Sequence, residues 1–175
     1  MTNLIPKKIR FSLPSFKDNR GSLSLIRCST IKNIPNFFSD EPDQVFISNT
    51  KPWHGRGLHF QKESPLLQTV TVIEGSIYEC LVETKISKKT TTYNSYREKI
   101  SASDELNSFI IPKGWAHGFF TKSKSAIILY QVWGTRNVND EHGYNIRDPK
   151  FNLLTHEEGK NLRLNKRDRN FKLIK

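Results

Sequence analysis

Three short stretches carry side chains from which chemistry can be built. Gly55-Arg56-Gly57-Leu58-His59-Phe60-Gln61 brackets an arginine with two glycines and follows it with an imidazole. Glycines there leave the backbone free to approach something closely or to take a positive φ. His117 lies in Pro112-Lys113-Gly114-Trp115-Ala116-His117-Gly118-Phe119, among the same small and aromatic types, and Tyr130 lies in Ile127-Ile128-Leu129-Tyr130-Gln131-Val132-Trp133. A histidine between Leu58 and Phe60 has two readings, a satisfied core residue or an acid–base group, and a second imidazole in similar company favours the second. Tyr130 is open in the same way, because Ile128 and Val132 share its strand face and it could be core with its hydroxyl satisfied. A metal is not expected. No His-x-His occurs, and His54 and His59 stand five apart across a Gly-Arg-Gly bend, a poor facing geometry for a shared ion. Without a metal, a cofactor or a nucleophilic Ser/Cys setting, the use left for a buried His is proton transfer. An imidazole titrating near neutrality suits removal of a proton from carbon beside a carbonyl, if an acid orients its other nitrogen. A phenol such as Tyr130 would return a proton from the opposite side.

The elements that must position these groups read as short strands. Ser22–Ile26 alternates after the turn Asp18-Asn19-Arg20-Gly21, and Gln44–Asn49, Leu67–Ile73, Ser76–Val82, Tyr93–Ile100, Ser108–Pro112, Ala116–Thr121 and Ile127–Trp133 follow. Glu74-Gly75 is a hairpin turn, Lys85–Thr92 a polar turn-rich loop and Arg136–His142 a polar loop. Residues 1–17 read as an extended lead-in limited by Pro6 and Pro14. Ile31–Ser39 has room for one short helix interrupted by Pro35, and a last short helix starts with Thr155 as N-cap and Glu157 and Glu158 in its first turn. Many short strands with little helix predict an antiparallel sandwich or barrel.

Length and charge bound the rest. At 175 residues the chain fits a single domain, 1–175, with a real core. No run of 18 apolar residues predicts a membrane span, and Met1–Lys8 lacks the apolar region of a secretory signal. Cys28 and Cys80 have no metal spacing and lie in or near apolar patterns, the usage of a reduced, cytoplasmic protein with two packed thiols. The net charge of +11 invites a nucleic-acid partner, but residues 156–175 hold seven Lys/Arg against three Asp/Glu and much of the remainder is scattered in loops. No helix-turn-helix, zinc-finger or aromatic RNA-binding signature is present. A solvated basic surface with some affinity for phosphorylated small molecules is the expectation.

The motifs Arg56-Gly57-Leu58-His59-Phe60-Gln61, Ile111-Pro112-Lys113-Gly114-Trp115-Ala116-His117-Gly118-Phe119 and Leu129-Tyr130 resemble the signature of the dTDP-4-dehydrorhamnose 3,5-epimerase family, in order and approximate spacing. Weaker echoes are Asp18-x-Arg20-Gly21, Gly143 with Asp148-Pro149, and Leu164-Asn165-Lys166-Arg167-Asp168. The resemblance implies an all-β double-stranded β-helix, a cupin-like jelly-roll barrel with short peripheral helices, metal-free and working as a homodimer on a nucleotide-diphosphate-linked 4-keto-6-deoxy sugar. It implies an N-terminal arm at about 1–17, a C-terminal tail at about 154–175 and strand exchange near the N-terminus. By resemblance His59 is the base that removes the proton at C3 or C5, Asp168 pairs with its imidazole, and Tyr130 protonates the enolate from the far face. His117 and Arg56 surround the sugar and the developing oxyanion, and Arg20 contacts the diphosphate. Read as plain residues, Arg20 and Arg56 are surface turn positions, and Asp168 sits in a charged tail that solvent alone would satisfy.

Departures from the family pattern fall on recognition residues. Ser22-Leu23-Ser24-Leu25 replaces aromatic residues and a Glu, Gln68 stands near the place of a Lys that supports the enolate oxygen, and Ile146 replaces a Trp. The nucleotide, the sugar and the choice between C3 and C5 are thereby left open. Two other classes remain: a 3,4-ketoisomerase, which carries a His-Ala-His-like run where this chain has Leu58-His59-Phe60, and a non-catalytic cupin-like protein that binds a sugar nucleotide.

Overall fold

The computed structural model describes residues 41–84 and 93–174, together with the backbone of 15–18 and 21–24. Arg20, Cys28, the expected helix at Ile31–Ser39 and the polar loop at 85–92 lie outside the described residues. Strands β1 (Ser15–Asp18) and β2 (Gly21–Ser24) pair antiparallel, with Asp18 opposite Gly21. The last residues of the expected lead-in therefore have a partner, because the turn folds them back onto the next strand.

Eight further strands form, and all but β4, the first histidine motif, follow the expected period-two runs to within a residue or two: β3 (Gln44–Thr50), β4 (Gly55–Gln61), β5 (Leu67–Glu74), β6 (Ser76–Glu83), β7 (Ser95–Ser101), β8 (Ser108–Ile111), β9 (Trp115–Phe120) and β10 (Ala126–Trp133). The run Arg136–His142 differs from the polar loop expected there: Val138–Asp140 forms a 3-10 turn and Glu141–Gly143 a short strand, β11. The cause is Asp140, whose carboxylate accepts the backbone N–H groups of Lys62, Glu63 and Ser64 at 2.9–3.2 Å. That clamp delivers the next residues to the edge of β4.

Strand order is β3-β10-β5-β8 in one sheet and β11-β4-β9-β6-β7 in the other, every pairing antiparallel. Val70, Val72, Phe109, Ile111 and Ile128 of the first sheet pack against Ile77, Leu81, Ile100 and Phe119 of the second. Each such buried side chain contributes roughly 1.5–3 kcal/mol.

The five-stranded sheet is buried on its outer face as well. On β6, Ile77 and Leu81 point into the sandwich while Cys80 and Val82 belong to a second cluster with Leu58, Ala116, Phe120, Ile146, Phe151, Leu153 and Leu162. The chain after β11 supplies the cover, and it is no solvated tail. Helix α1 (His156–Asn161) begins at Thr155 with a capping box to Glu158. Glu158 is buried and pinned by Arg97, at 2.7 and 2.8 Å, and by Lys122 at 2.6 Å. Helix α2 (Lys166–Arg169) follows, with Asn165 Oδ1 accepting the Asp168 N–H at 2.8 Å.

Candidate active site

Alternation along β4 and β9 brings the two imidazoles together. Leu58 and Ala116 face the outer cluster, so His59 and His117, one residue on, face the interior, where they are register partners. The strands cross at unusually short range. Gly57 has φ of +92°, and a Cβ there would lie 2.5 Å from the His117 carbonyl oxygen; a Cβ on Gly118 would lie 2.3 Å from that of Arg56. Only glycine fits at either position.

The imidazoles open on a cavity of about 460 Å³ between the sheets, within the range of small-ligand sites. Arg56, His59, Gln68, His117, Tyr130 and Asp168 all line it, so every expected site residue except Arg20, which lies outside the described residues, converges there. His59 Nε2 lies 2.7 Å from Asp168 Oδ1, and Asp168 Oδ2 accepts the Gly57 N–H at 3.0 Å. Asp168 is fully buried. Burial works to raise its carboxyl, but the His59 imidazole, the Gly57 N–H and Arg167 outweigh burial and hold it below the usual carboxylate range.

Arg167 was not singled out by the sequence. Its Nη2 is 2.7 Å from the same His59 Nε2, its Nε 3.2 Å from Asp168 Oδ1 and its Nη1 3.1 Å from Glu141 Oε1. An imidazole nitrogen serves one such partner at a time, donating to the carboxylate when protonated and accepting from the guanidinium when bare. Glu141 also stands 3.9 Å from His59 Nδ1. Its burial is outweighed by Arg136, His59 and Arg167, which keep its carboxyl low.

His117 has a carboxylate of its own: Nδ1 is 3.1 Å from Glu79 Oε1. Glu79 is fully buried, its Oε2 has no hydrogen-bond partner among the described residues, and burial, opposed by His117, pushes its carboxyl up. A signal for it was present. Glu79 alternates with Ile77 and Leu81, so the strand pattern assigns a carboxylate to the core face. No comparable signal marks Glu141 or Arg167, which sit in charged surroundings.

Tyr130 faces these groups from the other sheet. Its ring centroid is 6.4 Å from that of His117, and it is only 4% exposed. Burial first, and then the charge of Glu79, raise its phenol well above the ordinary value, against weaker pulls from Ser48 and Arg56. The phenol therefore stays protonated. Gln68 reaches the cavity from β5, and Arg56 and Arg136 stand at its wall. Among the described residues no three of His, Cys, Asp or Glu are arranged to hold a metal ion. A carboxylate-oriented imidazole on one wall and a neutral phenol on the opposite wall can remove a proton from one face of a carbon and return one to the other.

The family model described as dTDP-4-dehydrorhamnose 3,5-epimerase matches residues 3–175. The dTDP-4-dehydrorhamnose 3,5-epimerase of Methanothermobacter thermautotrophicus is 31% identical over 121 residues, covering 69% of this chain and 64% of that relative, so the match spans less than two thirds of the relative's length. Among solved structures, RmlC from Streptococcus suis in complex with dTDP-D-xylose superimposes with a TM-score of 0.75 at 22% identity, over 99% of this chain and 89% of that one. ChmJ, a 3'-monoepimerase from Streptomyces bikiniensis in complex with dTDP-quinovose, gives 0.71 at 18% identity, over 93% and 81%. At these identities the structural likenesses establish the cupin-like jelly-roll fold.

Proposed function

The chain belongs to the dTDP-4-dehydrorhamnose 3,5-epimerase family, and from that premise we propose that it epimerises a nucleotide-diphosphate-linked 4-keto-6-deoxy sugar at C3, C5 or both. His59 takes the proton from the carbon beside the C4 ketone, and the Asp168 carboxylate fixes the ring and supports the imidazolium that forms. The electron pair moves onto the C4 oxygen, where His117 and Arg56 donate to charge that exists only after deprotonation. Gln68 offers a neutral amide to the same oxygen. Tyr130 then gives its proton to the opposite face of the carbon, the phenolate is reprotonated by water and the imidazolium returns its proton to water. The observation that carries this reading is the juxtaposition of the His59–Asp168 pair, 2.7 Å apart, with the buried Tyr130 phenol across one cavity.

The substrate class is supported by the names of relatives and by the dTDP-sugar complexes of structural neighbours. Arg20 is assigned to the diphosphate on resemblance. A homodimer and cytoplasmic residence belong to the same proposal. Support for the first comes from the exposed Val45 and Ile47 of β3, and for the second from the buried free thiol of Cys80.

The test is incubation with a panel of nucleotide-linked 4-keto-6-deoxyhexoses in heavy water, read by mass shift and product NMR. Deuterium at C3 or C5 with inversion is the expected result. A product ketone at C3 would make the chain a ketoisomerase, and unchanged mass with every sugar would defeat catalysis altogether.

A further inference from the structure

The Tyr130 phenol is held from the side by strand β3, the edge of the four-stranded sheet. Phe46 is the register partner of Tyr130 in the β3–β10 pairing, and the two rings stack at 4.7 Å between centroids with 14° between planes. Phe46 lines the cavity and yet is 44% exposed, so burial in the core does not account for it. Two residues on, Ser48 shares its strand face and lines the same cavity. Its Oγ is buried and eases the ionisation of the phenol. An edge strand that sets an aromatic ring and a hydroxyl into the cavity that holds the phenol is arranged around that phenol.

We propose that Phe46 is a positioning residue for Tyr130, fixing the phenol across the cavity from His59 by ring stacking while Ser48 flanks its hydroxyl. This deepens the epimerase reading and rests on it for its kinetic arm. Proton removal by His59 does not need Phe46, since the base is held from Asp168 and Gly57. Delivery to the opposite face does need it, because a proton donor a fraction of an ångström out of line loses much of its rate. The intermediate left waiting is reprotonated on the original face by the imidazolium, and once that N–H has exchanged with heavy water the return delivers a deuteron, which gives exchange without inversion.

The experiment compares wild type with Phe46→Ala, Phe46→Leu and Phe46→Tyr, scoring solvent deuterium incorporation and inversion in the same sample. Phe46→Ala and Phe46→Leu are expected to raise the ratio of exchange to inversion by roughly ten- to a hundredfold, on the scale of a misplaced proton donor, and Phe46→Tyr to restore it. A second readout needs no turnover: the ring resonances of labelled tyrosine at neutral pH, with the Tyr130 signal assigned through Tyr130→Phe. A ring stacked at 4.7 Å shields its neighbour, so in the folded Ala and Leu variants the Tyr130 resonances are expected to move downfield, and in Phe46→Tyr to stay in place. Unmoved resonances together with an unchanged ratio overturn the proposal. If wild type exchanges no hydrogen on any sugar, the epimerase reading fails, and the resonances alone still decide whether Phe46 holds the phenol.

Discussion

At the scale of single residues the proposed mechanism divides its labour between two walls, and the two walls are separable. On the proposed mechanism His59→Asn removes the base and leaves a smaller polar amide, so exchange and inversion should both fall by 10²-fold or more, on the order of a general-base contribution, with nucleotide-sugar binding retained by calorimetry. Loss of binding in parallel would make His59 a binding residue only. Tyr130→Phe removes the proton donor alone, and exchange should survive while inversion falls. The histidines and the tyrosine were legible because each sits at a fixed parity in an alternating strand: His59 is one position from buried Leu58, and His117 one from buried Ala116. Asp168 was legible only through resemblance. Its own neighbours, Lys166, Arg167 and Arg169, describe a solvated turn, and nothing local reveals that its two oxygens are spent on His59 and Gly57.

At the scale of elements, the segment after β11 decides whether His59 has its carboxylate partner at all. Glu158 ties α1 to β7 through Arg97 and to the loop after β9 through Lys122. Burial works to raise its carboxyl, but the hydrogen bonds from Arg97, Lys122 and the Thr155 N–H prevail and bring it down to about 2. A carboxyl depressed in the folded state contributes stability above its unfolded value near 4.5, and that contribution is lost as pH falls toward 2. Acid titration followed by circular dichroism should therefore show the wild type losing stability through that window, with the loss blunted in Glu158→Gln. Glu158→Ala leaves Arg97 and Lys122 without their carboxylate and should cost about 3 kcal/mol, a drop of roughly 6–12 °C in melting temperature for a chain of this size. An unshifted melting curve would mean that solvent satisfies the two cations. The helix itself was legible from Thr155 and its glutamates. The cover was not, although the unbroken run Ile77–Val82, with only Glu79 polar beyond Tyr78 and Cys80, is how a strand buried on both faces reads.

At the scale of the whole molecule, the jelly-roll class followed from many short strands and scarce helix, whereas strand order did not, since pairing partners such as β3 with β10 are far apart in sequence. One edge of the structure stands out. Val45 is 52% and Ile47 66% exposed on β3, an edge of its sheet among the described residues, and exposed apolar edge strands are ordinarily covered. Sedimentation should find a dimer in the wild type, and Val45→Lys with Ile47→Lys should shift it toward monomer; a wild type that sediments as monomer removes the dimer.

The imidazole and its carboxylate lie 109 residues apart along the chain, and the carboxylate rides on the C-terminal covering layer. A partly folded molecule with both sheets assembled but that layer undocked would keep the cavity-facing histidine and lack its carboxylate partner. Turnover in such a protein is a reporter of completed folding, so a refolding experiment should see activity return in step with the final docking event and later than the sheets.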